Sequence, residues 1–437
     1  MTLQKQVKET TYAAAFRESL ALEKIDWRRE RREQAFAYFT ENGFPNVQNE
    51  EWKYTNVALA AQENFDAKTD SDFTSEQIAS FIFDESKNSV LVFTNGNFNK
   101  NLSNTDAIEE ARVLSFAEAA TDEKYAESFK SKFGSLVDFE KNGFTALNAA
   151  FTGEGVFLHL PKETKTDAPI QILFLTGGGK AAFPRLLIVA EKFSEATIIE
   201  TYARSEESKY LTNSVVEISI AEEAKIKHFR VQRESHQAFH VSNTAAEVER
   251  GSVYDTTAIT LGARLSRHDV LLKFNAEGGE AFVDGLYFLG GEQHHDTHSV
   301  IKHDVPNCIS HQTYKGILND KSRGVFNGKV FVAVGASGTD GYQSNKNLLL
   351  SNDARVDTKP QLEIFNDDVK CSHGATVGQL EEEELFYLLS RGLNESLAKN
   401  LLTYGFAEEI VNKIEIESIK RQLDEAVLNR LNANLEA

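Results

Sequence analysis

Residues Val369 to Gly378 read VKCSHGATVG and hold Cys371, one of two cysteines in a chain of 437 residues, with His373 two positions on. On an extended strand residues i and i+2 face the same way, so thiol and imidazole would share a face, with Val369 beside them. Such a pair suits iron or zinc, and a nearby metal or positive charge would lower the thiol pKa from its usual value of about 8.5. Free cysteine is equally a small buried residue, and Val369 suggests a core face. The pair therefore reads either as two ligands or as one core residue beside one satisfied histidine. Ligand counting sharpens the first reading. Iron-sulfur clusters take about four protein ligands, mostly Cys, and the other cysteine, Cys308, lies 63 positions away. The chain cannot complete such a site alone, so a cluster built here would be shared with another chain or be transient.

Three further stretches carry residue types that could do chemistry. HHDTHSVIKH, His294 to His303, holds four histidines and an aspartate, and on a strand His294, Asp296 and His298 would share one face, as a zinc or iron site requires. The helical HExxH spacing is absent, and a polar ladder on the outer face of a β-structure explains the same residues; that is the reading preferred. TGGGKAAF, Thr176 to Phe183, lacks the spaced first glycine and the Ser or Thr after Lys of a phosphate loop and lies among strands, so it reads as a plain loop. WRRERRE, Trp27 to Glu33, reads as a solvated helix face rather than a partner site.

The elements that must position these residues fall into three regions. Residues 1–150 mix helix with a little strand: two helices end at Gly43 and Pro45, SVLVFTNGNFN enters a turn, and helical patterns return at Asp122 to Phe133 and Gly143 to Phe151. Residues 151–378 are short alternating segments such as GVFLHL, IQILFL and RLLIVA. They carry a recurrent small-x-apolar element at Ala196, Ala224, Gly251, Ala281, Gly324 and Ala354, with most intervals between 27 and 30 residues. At about 3.3 Å per residue each unit is long enough to go once round a β-solenoid. A large sandwich with regular turns is the alternative. In the solenoid, Ile198, Ile226, Val253 and Val356 are expected to stack inside. Residues 379–437 are helical, with Glu381 to Glu384 on a first turn, Gly392 as a stop, Asn394 as an N-cap, and an apolar stripe of Ile419, Leu423, Val427 and Leu431. The stripe is either intramolecular core or a docking face.

Composition bounds the function. A 41% apolar chain folds without staples, and two cysteines form no disulfide framework, which points to a reducing compartment. The start has no apolar run after a basic region, and no long apolar span follows, so a cytoplasmic, soluble protein is expected. A net charge of −19 opposes nonspecific nucleic-acid binding.

The block VDTKPQLEIFNDDVKCSHGATVGQLEEEELFYLLSRGL, Val356 to Leu393, resembles the SufB/SufD family of iron-sulfur cluster assembly scaffolds, on its SufD side. HHDTHSVIKHDVPNC, SRGVFNGKVFV, TDGYQSNKNLLL and NEEWKYTN fit the same family. SufB would carry an Asn-Asp-x-Ala-x-x-x-His-Glu-Ala type of pattern in place of DDVKCSHGATVG. The resemblance implies a right-handed parallel β-helix between helical N- and C-terminal domains. It implies no catalysis by the chain itself, a heterodimer with a SufB-like subunit, and binding of a SufC-like ABC ATPase through the C-terminal helices, which favours docking for the stripe. A homodimer in isolation is open; neither nucleic acid nor membrane is implied. It implies that His373, with Cys371 in a less defined role, holds a transient cluster of iron and sulfide shared with the partner, none being permanently bound by this chain alone. One departure stands out: Gly338 occupies a position where the family often has Lys before Thr-Asp. Other function classes are a polysaccharide-active β-helix enzyme and a self-associating zinc protein using His294, His298 and Cys371.

Overall fold

The computed structural model of the chain describes residues 2–70, 73–204 and 206–432, with side chains between residues 12 and 426 of that range. Two facing sheets take alternate strands of the chain, and neighbours within each sheet are parallel apart from strands at its beginning. The first sheet starts at the hairpin of Val90–Thr94 and Asn97–Phe98, turned by Asn95 and Gly96 at positive φ. It runs through Ile170–Leu175, Glu195–Ala203, Lys225–Arg233, Val253–Thr260, Glu280–Leu289, Ile309–Leu318 and Thr339–Leu349 to Val369–Gly378. The second ends at Arg355–Ile364. The whole is a parallel β-solenoid of about eight turns, flanked by N- and C-terminal helices.

Strand pairing corrects the stacking expected of the repeat. The inward column of the first sheet is Ala196, Ile226, Tyr254, Ala281, Ser310, Gly341 and Cys371, so successive coils are 27 to 31 residues apart. Ile198 and Ile226 are both buried but on adjacent columns, since Ile198 pairs with His228. Val253 stands half-buried on the outward column with Lys225 and Glu280, and Val356 lies half-buried on the second sheet. The period holds while the register shifts, because the column through Ile226 mixes Ala, Ile, Tyr, Ser, Gly and Cys. Such a column has no compositional signature.

The interior has an apolar half and a polar half. Ile218, Ile220, Val248, Leu272, Phe274 and Val283 fill the first. In the second, buried His228 bridges the Tyr254 hydroxyl (2.9 Å) and Glu200 (3.1 Å), while Arg230 contacts His240 (2.6 Å), itself paired with Glu234 (2.7 Å). Buried charges survive only when they are compensated, and here Arg230 pairs with Glu200 at 3.5 Å.

The N-terminal helices Thr2–Ala21 and Asp26–Asn42 pack with the buried helix Gly143–Phe151. Here the expectation of a solvated face for WRRERRE fails for two residues. Arg28 and Arg32 are buried, share Glu23 (3.2 and 3.6 Å), and donate to the carbonyls of Gly153 (2.8 Å) and Ala150 (2.7 Å). Carbonyls at and just beyond a helix C-terminus lack intrahelical partners and carry partial negative charge, which rewards guanidinium groups there.

The C-terminal helices are Glu382–Ser390, Glu395–Val411 and Glu417–Asn432, and Asn394 caps the second by accepting the Leu397 N–H at 2.8 Å. The stripe expected to dock a partner is core in its described part. Ile419 and Leu423 are 0% and 1% exposed, packed with Ile410 and Val411 against Phe229, Ile259 and Phe288 on the outward face of the first sheet. The side chains of Val427 and Leu431 lie outside the described residues. Lys413 to Asp284 (2.6 Å) and Lys315 to the Phe406 carbonyl (2.8 Å) tie the same surfaces together. Among the described residues of these helices, the large apolar side chains left in solvent are Phe386, Tyr387, Leu389, Leu397 and Leu401. No helix among the described residues is long and apolar enough to cross a membrane.

Candidate functional site

Cys371 and His373 lie on Val369–Gly378, the last strand of the first sheet, paired with Gly341 and Gln343 of the strand before. Both stand on inward columns, so the face shared by the pair is the inner one. Nothing further stacks on this coil within the described chain, and the inward residues that are sealed elsewhere open to solvent here: His373 is exposed and Cys371 half-buried. The thiol leans on Val330, Val332 and Ala336, with Leu362 and Val369 beside it. Gly341 makes the space, since a Cβ there would sit 3.1 Å from Cys371 Sγ. Burial pushes the Cys371 thiol up, outweighing the backbone N–H of Gly341, which favours the thiolate. In the isolated chain Cys371 is therefore a protonated thiol at neutral pH, and His373 is the accessible donor of the pair.

The turn before the preceding strand accounts for Gly338. Its φ of +70° is left-handed, its N–H donates to the Asp368 carbonyl (2.7 Å), and a Cβ would meet Asn307 Oδ1 at 2.4 Å. A lysine at this place would be strained and would displace Asn307.

HHDTHSVIKH divides by face as its alternation predicts. His295 and His303 point inward; His294, Asp296 and His298 point outward, beneath the segment Glu50–Trp52 and Thr55. The Thr55 hydroxyl donates to Asp296, so His294 Nε2 must donate to Thr55 (2.9 Å). Arg267 reaches Asp296 at 2.8 Å and the Glu51 carbonyl at 2.7 Å, under the Trp52 ring. Burial opposes charge on Asp296, yet Arg267 and His298 hold it well below the usual carboxylate range. Burial lowers His294 to about 4, whereas Asp296 and Glu51 overcome burial at His298 and raise it to about 9. These side chains clasp the N-terminal region to the solenoid. Cys371 faces the interior from the other sheet, so the zinc set of His294, His298 and Cys371 is not assembled. Among the described residues no group of three His, Cys, Asp or Glu is placed to hold a metal ion. Cys308 is fully buried, near the carbonyls of Ala276 and Pro306. TGGGKAAF is a loop only up to Lys180, which pairs with Asp66 and Asp70, each at 2.8 Å; Ala181–Ala182 is a short strand beside Leu211 and Thr212.

The sequence reading missed the outer side of the same coil. His311 approaches Asp340 at 3.3 Å and stacks edge-on to Tyr342, and with Lys370, Cys371 and Ser372 they line a shallow hollow behind the cysteine. His311, Tyr342 and Ser372 share one outward column, a relation that appears only once the register is known.

Comparison with known proteins covers nearly the whole chain. Residues 173–406 match the family described as SUF system FeS cluster assembly, SufBD core domain, and residues 6–172 match the SufBD protein N-terminal region. An iron-sulfur cluster assembly SufBD family protein of Synechocystis is 36% identical over 395 residues, 88% of this chain and 86% of the relative. The iron-sulfur cluster assembly protein SufD of Escherichia coli is 28% identical over 396 residues, 89% of this chain and 90% of the relative. The chloroplastic protein ABCI7 of Arabidopsis thaliana is 32% identical over 289 residues, 64% of this chain and 61% of the relative.

Proposed function

Since this chain belongs to the SufBD family of iron-sulfur cluster assembly proteins, we propose that it is a SufD-type scaffold subunit, a non-catalytic half of the interface at which a cluster is built. The observation that carries this reading is the open last coil, where His373 stands exposed on an inward column beside Cys371. Among the described residues Arg355–Ile364 and Val369–Gly378 each pair on one side only, and an open strand edge is a template for a strand from another chain. A SufB-like subunit supplies it, bringing the thiolates that a two-cysteine chain lacks, and iron and sulfide are assembled as cargo between the two. His373 is the ligand from this side, and Cys371 is mainly structural. In the absence of that partner the same edge pairs with a second copy. A SufC-like ATPase docks on the exposed apolar face of Phe386, Tyr387, Leu389, Leu397 and Leu401, and its ATP hydrolysis rearranges the pair.

The test is coexpression with SufB- and SufC-like subunits and anaerobic purification. His373→Ala is expected to leave assembly and ATP hydrolysis intact and to cut iron, sulfide and visible absorbance sharply, with Cys371→Ser having the smaller effect. Wild-type cluster content in His373→Ala complexes alongside empty Cys371→Ser complexes reverses the ligand assignment.

A further inference from the structure

Directly beneath His373, in register on the preceding coil, is Gln343, fully buried and with an Oε1 that has no hydrogen-bond partner. A relay of side chains runs behind this amide. Gln312 donates Nε2 to Ser299 Oγ (2.8 Å), and Ser299 donates back to Gln312 Oε1 (3.1 Å). Gln312 Oε1 also accepts from the next coil, where Gln343 donates Nε2 at 2.7 Å. The oxygen of Gln343 is the group left over. Gly328 across the interior makes room for this arrangement, since a Cβ there would lie 2.3 Å from Gln343 Nε2. A buried polar atom is normally paired, and an orphan in an otherwise ordered relay calls for a donor. Neighbouring strands are about 4.8 Å apart, so the nearest inward side chain on the open coil is His373, and an imidazole that binds metal through one nitrogen needs an acceptor for the N–H on the other.

We propose that Gln343 is the positioning residue for His373: its orphaned Oε1 accepts the N–H of the ring nitrogen that does not meet the cluster, fixing tautomer and ring plane. This rests on the reading of His373 as a cluster ligand. The relay Ser299, Gln312, Gln343 then anchors a ligand on an open edge to the rigid interior of the solenoid.

The test compares Gln343→Leu, Gln343→Glu, Gly328→Ala and His373→Ala in anaerobically purified complexes with the SufB- and SufC-like subunits, reading iron and sulfide per assembled complex. Gln343→Leu fills the buried space but removes the acceptor, and cluster content is expected to fall about tenfold or more. Gln343→Glu, protonated, can donate to Gln312 and still accept from His373, so it is expected to restore most of the content. Gly328→Ala displaces the amide and is expected to lower the content as Gln343→Leu does; it decides the matter if the Leu variant does not assemble. A role in filling space alone gives the opposite order, with Leu retained and Glu impaired, and that result overturns the proposal. A loss in His373→Ala with wild-type content in Gln343→Leu and Gly328→Ala also overturns it while leaving the ligand reading intact. Wild-type content in His373→Ala removes the ligand reading itself.

Discussion

At His298 a positive charge sits between Asp296 and Glu51, each at 3.2 Å, and they raise its pKa from 6.5 to about 9 although burial pushes it down. A pKa raised on folding means that the contribution is complete below the unfolded value and is lost as pH rises through the folded one. The melting-temperature gap between wild type and His298→Gln is therefore expected to be widest near about pH 6 and to close towards about pH 10; a gap independent of pH would show that the clasp is held by packing alone. His373, by contrast, is exposed on the last coil. Alternation along the two strands was enough to place both residues on a face. What covers each face depends on segments remote in sequence: Glu51 and Thr55 lie more than two hundred residues before His298 and His294. Spacing along one strand carries no trace of such contacts, which is why HHDTHSVIKH looked like a ladder and proved to be a clasp.

Among the elements, the last helices separate two kinds of apolar surface that look alike in sequence. Leu423 is 1% exposed against Phe229 and Ile259, so Leu423→Asp buries an unpaired charge and is expected to cost about 3–5 kcal/mol, measured by denaturant unfolding. Leu397 is 51% exposed, so Leu397→Asp is expected to change stability by less than about 0.5 kcal/mol while weakening copurification of the SufC-like ATPase. Loss of the ATPase with Leu423→Asp at unchanged stability would put the docking face back on the stripe. The helix and its apolar stripe were legible from periodicity, but a stripe does not say whether the surface it meets belongs to the same chain. The solenoid was legible for a related reason. Its period survives in small residues at or just before the starts of strands, whereas its register is hidden because half of the interior is polar, with Glu200, Arg230, Glu234 and the buried His228, His240, His268 and His295 where apolar residues would mark a column.

Taken whole, the molecule is closed along its length and open at one end. The N-terminal helices and the C-terminal helices cover outward faces of the two sheets, while the last coil, Arg355 to Gly378, has one free edge in each sheet. Amide exchange in the isolated chain is expected to be fast at that edge if it stays monomeric, and to slow by about tenfold or more when the SufB-like subunit binds, as local opening is suppressed. Unchanged exchange across residues 355–378 on complex formation would place the partner elsewhere. His373 is proposed to hold the shared cluster at this open end. That role is tested most directly by labelling only this chain with nitrogen-15 histidine, assembling the complex anaerobically, and recording the nitrogen hyperfine coupling of the reduced cluster by pulsed electron paramagnetic resonance. A directly bound nitrogen-15 coupling that disappears in the His373→Ala complex is the predicted result; a cluster spectrum with no nitrogen-15 coupling, or one unchanged by His373→Ala, would contradict it.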